Sequence, residues 1–198
     1  MNDQAMMAMI RDHFGAYIRA AVSGSGFPES FFAALTANET SGVPTQTRFE
    51  SAVLGHLVDM VILTEPNFGA ITREGLLGVC WPANKVNTLT DGLVSLKNLA
   101  TSWGPTQIMG YQSLAAKYPL VELSNLDTHY KHAVEILADF QKRFDLPVMD
   151  EAPGAPKVTP TDYFACWNSG SPEHEGAPGV ALYVMEGLHR MTLYEALP

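Results

Sequence analysis

The sequence predicts a mainly α fold with room for one small β-hairpin. Three observations carry this. Apolar residues recur at three- and four-residue spacing through most of the 198 residues, the period of a helix with one buried face. No segment holds four or more strict apolar–polar alternations in strand-forming residues. Hydrophobic residues make up 46% of the chain and charged residues 17%, which suits a real core under a solvated surface.

Each element has a local reason. Residues 1–22 read as an amphipathic helix; Asp3, Arg11, Asp12 and Arg19 break the apolar run that a secretory leader would need. Pro28 stands where a first helical turn tolerates proline, and ESFFAALTANE follows with apolar residues on one side. From Thr47 to Leu63, Phe49, Ala52, Val53, Leu57, Met60 and Val61 keep helical spacing. TREGLLGV predicts a short helix begun at Thr72, and TDGLVSLKNLATSW another with Thr90 as cap. Between Ser124 and Phe144 runs the stripe Leu126, Tyr130, Ala133, Val134, Leu137 and Ala138. Helices over Pro160–Trp167 and Val180–Leu197 complete the set, and the hairpin is expected near Pro66–Ile71.

The length suits one domain over residues 1–198. A Pro- and Gly-rich linker at about 150–160, DEAPGAPKVTPTD, precedes two helices too short to stand alone, so they should pack back onto the body. The net charge of −9, with no basic run, argues against nucleic acid as a partner. The longest apolar stretch, MVILT after Asp59, is far too short to span a membrane. Cys80 and Cys166 could form one bridge but do not make a disulfide framework, and the first expectation is free, buried thiols. His129 and His132, three apart on a helix, and His174, between Glu173 and Glu175, have no evident third ligand. They are expected on solvated surface, with no metal and no cofactor.

Three short motifs remain. In ANETSG, residues 37–42, Glu39 closes an apolar helix, where the backbone dipole disfavours an anion. Shielding by Phe31, Phe32 and Leu35 would raise its proton affinity and suit it to protonate a leaving oxygen. A solvated glutamate with Gly42 as helix stop fits the same residues. In TSWGPTQIMGY, residues 101–111, two glycines and a proline bracket Gln107, as for a tight turn into a short helix. Trp103 could offer a flat face to a sugar, or with Ile108 and Met109 belong to the core. In FACWNSGSP, residues 164–172, Asn168 follows an aromatic at a helix end, as a ligand contact or as part of a plain cap.

In this order the motifs resemble the lytic transglycosylase and goose-type lysozyme branch of the lysozyme-like superfamily, and more closely the muramidase domain of some phage endolysins. The latter's Phe-Glu pair would be Phe49 and Glu50, in TRFESAVLGHL. The resemblance covers about Ala33 to Tyr183. It implies a lysozyme-like helical domain with a helical insert at about 43–100. It implies cleavage of the β-1,4 bond between N-acetylmuramic acid and N-acetylglucosamine in peptidoglycan glycan strands, with Glu39 as acid and base. Ser102, Trp103, Gln107 and Met109 would line the cleft, Trp167 and Asn168 would match the family's Tyr-Asn pair, and Tyr183 would border the acid. Trp167 departs from the usual tyrosine, and the stretch between Glu39 and Ser102 is longer than in compact transglycosylases.

Glycoside cleavage uses two carboxyl groups, or one with a substrate hydroxyl as internal nucleophile. Glu50, Asp59, Glu65 and Asp91 are the candidate partners, Glu50 first. With a second carboxylate the fold would hydrolyse as a muramidase. Without one, as the resemblance implies, it would form an anhydro-sugar as a lytic transglycosylase, which is the first expectation. A glycan-binding or structural protein on the same fold is the alternative of a different class. Action at the bacterial cell wall would fit a phage endolysin or a secreted protein that has lost its leader.

Overall fold

The computed structural model describes residues 1–62, 65–84, 88–149 and 160–198. It is mainly helical, with two small antiparallel sheets. The linker expected at about 150–160 lies, except for Pro160, outside the described residues. The chain forms two compact units: Met1–Pro44 with Leu126–Pro198, and Thr45–Asn125. The segment inserted between the two halves of the first unit thus runs well past residue 100 and carries the 101–111 motif with it.

The first unit holds α1 (Asp3–Val22), α2 (Glu29–Thr40), α7 (Leu126–Phe144), α8 (Thr161–Ser169) and α9 (Pro178–Glu195). The Asn2 side chain caps α1 by accepting from Ala5 N–H at 2.8 Å. The stripe Met6, Ile10, Phe14 and Ile18 of α1 is buried, as its spacing predicts. α2 departs from the one-sided helix expected: Ser30 to Ala37 are all buried. α1 and α9 both pack against it, so it is a central helix with no solvated face over most of its length. Aromatic rings fill the space around it. Phe31 lies 4.4 Å from Phe164 of α8, and Phe27 meets Tyr163 edge-on at 5.5 Å. Elsewhere on the same helix, Thr36 Oγ1 and Tyr130 Oη are 2.9 Å apart and fully buried.

The buried face of α7 is wider than its stripe suggested. His129 is 0% exposed and His132 8%, so the expectation of solvated histidines there is corrected; His174 is exposed as expected. His132 Nδ1 lies 3.0 Å from Glu135 Oε2.

The second unit holds β1 (Thr47–Phe49), α3 (Ser51–Val61), β2 (Asn67–Phe68), β3 (Ile71–Thr72), α4 (Arg73–Cys80), α5 (Leu89–Leu99), β4 (Thr101–Trp103), β5 (Ile108–Met109), α6 (Gly110–Ala116) and a 3₁₀ turn at Leu120–Ser124. The β2–β3 hairpin lies where the sequence expected one, turning at Gly69, whose φ is +57°. The β1–β4–β5 sheet was not expected. Thr47 to Phe49 form a strand, with Phe49 exposed beneath Lys97, and the helix begins only at Ser51. The cap of α5 is Thr88, not Thr90: Thr88 Oγ1 accepts from Asp91 N–H, and Asp91 Oδ2 accepts from Thr88 N–H. Leu57, Met60, Ile71, Leu76, Cys80, Leu96 and Leu99 form this unit's core. Cys80 and Cys166 are both buried thiols and are not joined by a disulfide. Among the described residues, no helix is long and apolar enough to cross a membrane.

Candidate functional site

The sequence-predicted residues fall into both units. Glu39, Trp167, Asn168 and Tyr183 belong to the first; Glu50, Ser102, Trp103, Gln107 and Met109 belong to the second.

Glu39 sits in the last turn of α2, half-buried. The helix ends because Ser41 turns left-handed, with φ +52°, and its N–H bonds back to Ala37 O at 3.1 Å. Gly42 follows at φ +81°, and a Cβ there would stand 2.6 Å from Met9 Cε. Chain reversal therefore requires glycine at this point, and it fixes the end of α2 against α1. The decisive neighbour of Glu39 comes from α9: Tyr183 Oη donates to Glu39 Oε1 at 2.5 Å. The Tyr183 phenol is held well above its ordinary range by burial first, then by the charge of Glu39 and their shared hydrogen bond. It is therefore a protonated donor at neutral pH. Its ring rests edge-on against Phe164 at 6.1 Å. Phe164 approaches closely because Gly187 lies opposite; a Cβ at 187 would stand 2.6 Å from Phe164 Cζ.

Trp167 and Asn168 lie in the last turn of α8, which stops at Gly170 with φ +81°. Trp167 is half-buried and Asn168 exposed. The helix-stop reading of this motif holds, and it leaves the Asn168 side chain on an open surface.

Two residues that the sequence pattern did not single out bind the surroundings of Glu39 together. Asn38 Nδ2 donates to Tyr183 O at 2.9 Å, and Arg190 Nη1 donates to Asn38 Oδ1 at 2.6 Å. Asn38 was visible inside the first motif. Arg190 had a fainter signal: it is the one Lys or Arg on an otherwise mostly apolar helix, seven residues beyond Tyr183 and so on the same face.

In the second unit the 101–111 motif is a hairpin. β4 and β5 pair with Ser102 opposite Met109, and Gly104 and Gln107 turn the chain at φ +72° and +55°. Gln107 is buried, and its side chain holds that turn. Nε2 donates to Gln46 O at 3.0 Å and Gly104 O at 2.9 Å, and Oε1 accepts from Ser102 Oγ at 2.7 Å. Both amide hydrogens are thus used inside the unit. The Met109 N–H is likewise taken, by Gln112 Oε1 at 3.0 Å. Trp103 is half-buried, its Nε1 donating to Asn98 O at 3.1 Å.

Among the candidate second carboxylates, Glu50 precedes α3 and pairs with Arg48 Nε at 2.5 Å, half-buried. Glu65 pairs with His56, and Asp91 is taken up by the cap of α5. Asp59 lies half-buried on α3.

Comparisons with protein-family models, with curated proteins and with solved structures return no match.

Two cavities lie away from these residues. One of about 370 Å³ in the first unit, lined by Arg11, Arg19, Glu29 and Tyr194, is at the other end of α2 from Glu39. One of about 490 Å³ in the second unit is lined by Asn98, Leu99, Lys117 and Tyr118 among others. None of the sequence-predicted site residues lines either. No group of three or more metal-ligating side chains occurs among the described residues.

Proposed function

We propose that this protein cleaves the β-1,4 bond between N-acetylmuramic acid and N-acetylglucosamine in peptidoglycan, with Glu39 as general acid and base. One observation carries the reading: a half-buried carboxyl at the end of a buried helix, oriented by a protonated phenol from another helix. A solvated helix-end glutamate would have no such partner. The motif order supports the same assignment, and the Tyr183 contact falls on the residue that the resemblance sets beside the acid.

In this mechanism Glu39 protonates the glycosidic oxygen as the bond to the muramic sugar breaks. The resulting carboxylate then removes a proton from that sugar's 6-hydroxyl, whose oxygen closes onto the anomeric carbon. The product is an anhydro-sugar and no water is consumed. Tyr183 donates to Oε1 throughout and fixes the carboxyl's orientation. Trp167 and Asn168, from the end of α8, are the proposed sugar contacts of the first unit.

The test uses purified protein and Glu39→Gln on peptidoglycan sacculi. Clearing by the parent and not by the variant is expected, with anhydro-muramic ends in the mass spectrum. Reducing ends with a mass of water added would select hydrolysis instead. Sacculus binding without clearing would overturn the enzymatic reading in favour of a glycan-binding protein.

A further inference from the structure

Tyr183 and Arg190 lie two turns apart on one face of α9, and Asn38 joins them. Its amide oxygen accepts from Arg190 Nη1 at 2.6 Å, and its amide nitrogen donates to the Tyr183 carbonyl at 2.9 Å. Both ends of the amide are therefore engaged, which fixes its orientation. Arg190 is itself held from two sides. Its Nη1 lies 3.3 Å from Glu186 Oε2 on its own helix, and its Nε lies 3.6 Å from Asp3 Oδ2 at the start of α1. Only 13% of its side chain is exposed, so this guanidinium is an internal fixture rather than a solvated charge.

The chain of contacts runs Asp3, Arg190, Asn38, Tyr183, Glu39. Three helices meet in it: α1 supplies Asp3, α9 supplies Arg190 and Tyr183, and α2 supplies Asn38 and Glu39. Sliding α9 by one residue along its axis is a displacement of about 1.5 Å. That alone would break the short bond between Tyr183 and Glu39. The packing of Phe164 against Gly187 resists such a slide sterically. The hydrogen bonds of Asn38 are directional and add a restraint at the end of α2 itself.

We propose that Arg190, acting through Asn38, is a positioning residue that sets the register of α9 against the end of α2 and so holds Tyr183 on Glu39. The proposal rests on the reading of Glu39 as the acid, but its structural half is tested without substrate. Nothing in it requires Arg190 to touch the glycan.

The test uses Arg190→Met, Arg190→Lys, Asn38→Leu and the double variant Arg190→Met/Asn38→Leu. Crystal structures report the distance from Tyr183 Oη to Glu39 Oε1. It should open beyond hydrogen-bonding range in Arg190→Met and in Asn38→Leu, and stay closed in Arg190→Lys. On sacculi, kcat should fall roughly tenfold or more in both single uncharged variants with KM within about twofold, since displacement of order 1 Å at a reacting group is that costly. The double variant should lose no more than either single one, because the two residues act in one chain. Arg190→Lys should recover most of the rate. An intact Tyr183–Glu39 contact in both uncharged variants would overturn the proposal, as would additive losses or an unchanged kcat with the contact broken. If one of those two variants does not fold, the other reads the same contact. A parent protein that clears no sacculi would defeat the reading of Glu39 and leave the crystallographic arm to decide the positioning claim.

Discussion

Tyr183 and Glu39 are 144 residues apart in the chain and 2.5 Å apart in space. In their hydrogen bond the Tyr183 hydroxyl is the donor and Glu39 Oε1 the acceptor.

Removing it gives the first prediction. Tyr183→Phe keeps the ring against Phe164 and deletes only the hydroxyl. Cleavage of sacculi should fall about tenfold through loss of carboxyl orientation, while thermal melting moves by only a few degrees. An unchanged rate would mean that Tyr183 is packing and not part of the site.

The second prediction concerns alkaline pH. Burial pushes the Cys80 thiol from its ordinary 9.0 up to about 11 and the Cys166 thiol up to about 12. Tyr163 rises from 10.0 to about 12, chiefly by burial, and Tyr183 rises as described. In each case the folded protein holds its proton to higher pH than the unfolded chain does. The stability these groups contribute is therefore complete below about pH 9. It falls as pH rises from there through 11–12, because the unfolded state then binds fewer protons. Urea midpoints measured from pH 8 to 11 should decline steadily. Cys80→Ala and Cys166→Ala should flatten the early part of the decline.

The sequence made the helices readable because their buried stripes repeat over many turns. The β1–β4–β5 sheet was not readable, because its strands are two or three residues long and no alternation develops in so short a run. Phe49 was drawn into a helix by spacing alone, yet it is an exposed strand residue with Lys97 over its ring. Thr88 outcompeted Thr90 as a cap because only Thr88 stands three residues before Asp91, which completes a reciprocal pair. Of the candidate site, Glu39 stands out in the sequence by its motif. Arg190 carries only the signal of a lone cation on a mostly apolar helix, because Asp3 and Asn38, which it meets, lie far from it in the chain.

A third prediction follows from the hairpin turn. Gln107→Ala would delete three hydrogen bonds, those of Nε2 to the Gln46 and Gly104 carbonyls and that of the Ser102 hydroxyl to Oε1, leaving the carbonyls only the Gly104 and Gln107 backbone N–H groups and the hydroxyl only Arg48 O. The expected loss is about 1–3 kcal/mol by chemical denaturation. Gln107→Glu should cost more. It keeps an acceptor for Ser102 but sets a second carboxylate oxygen against two carbonyl oxygens. A smaller loss for Glu than for Ala would contradict the assigned amide orientation.

A fourth prediction separates two glycines of the second unit. A Cβ on Gly110 would stand 2.3 Å from Asn98 O and 2.9 Å from Leu99 Cα, which are backbone atoms that cannot swing aside. Gly110→Ala should therefore destabilise by about 1–3 kcal/mol or more. Gly78 is exposed in α4, and a Cβ there would meet nothing within 4 Å, so it should behave oppositely. Gly78→Ala should stabilise by about 0.5–1 kcal/mol. Thermal melts of the two variants side by side give the comparison.

The last prediction lies in the core of the first unit. Thr36 Oγ1 donates to Phe32 O at 2.9 Å, so its single hydrogen is taken and it must accept from Tyr130 Oη, also at 2.9 Å. Burial drives the Tyr130 phenol far above its ordinary range, which keeps it a donor. The two partners are therefore unequal. Tyr130→Phe removes the donor and leaves Thr36 with its own bond intact, at a cost of about 1 kcal/mol. Thr36→Val removes the acceptor and strands a fully buried hydroxyl, which should cost about 1–3 kcal/mol. Once both are changed, two apolar groups meet and no polar atom is stranded, so the double variant should be more stable than Thr36→Val alone. Equal losses in the two single variants, adding fully in the double, would show instead that the hydroxyl pair is not coupled.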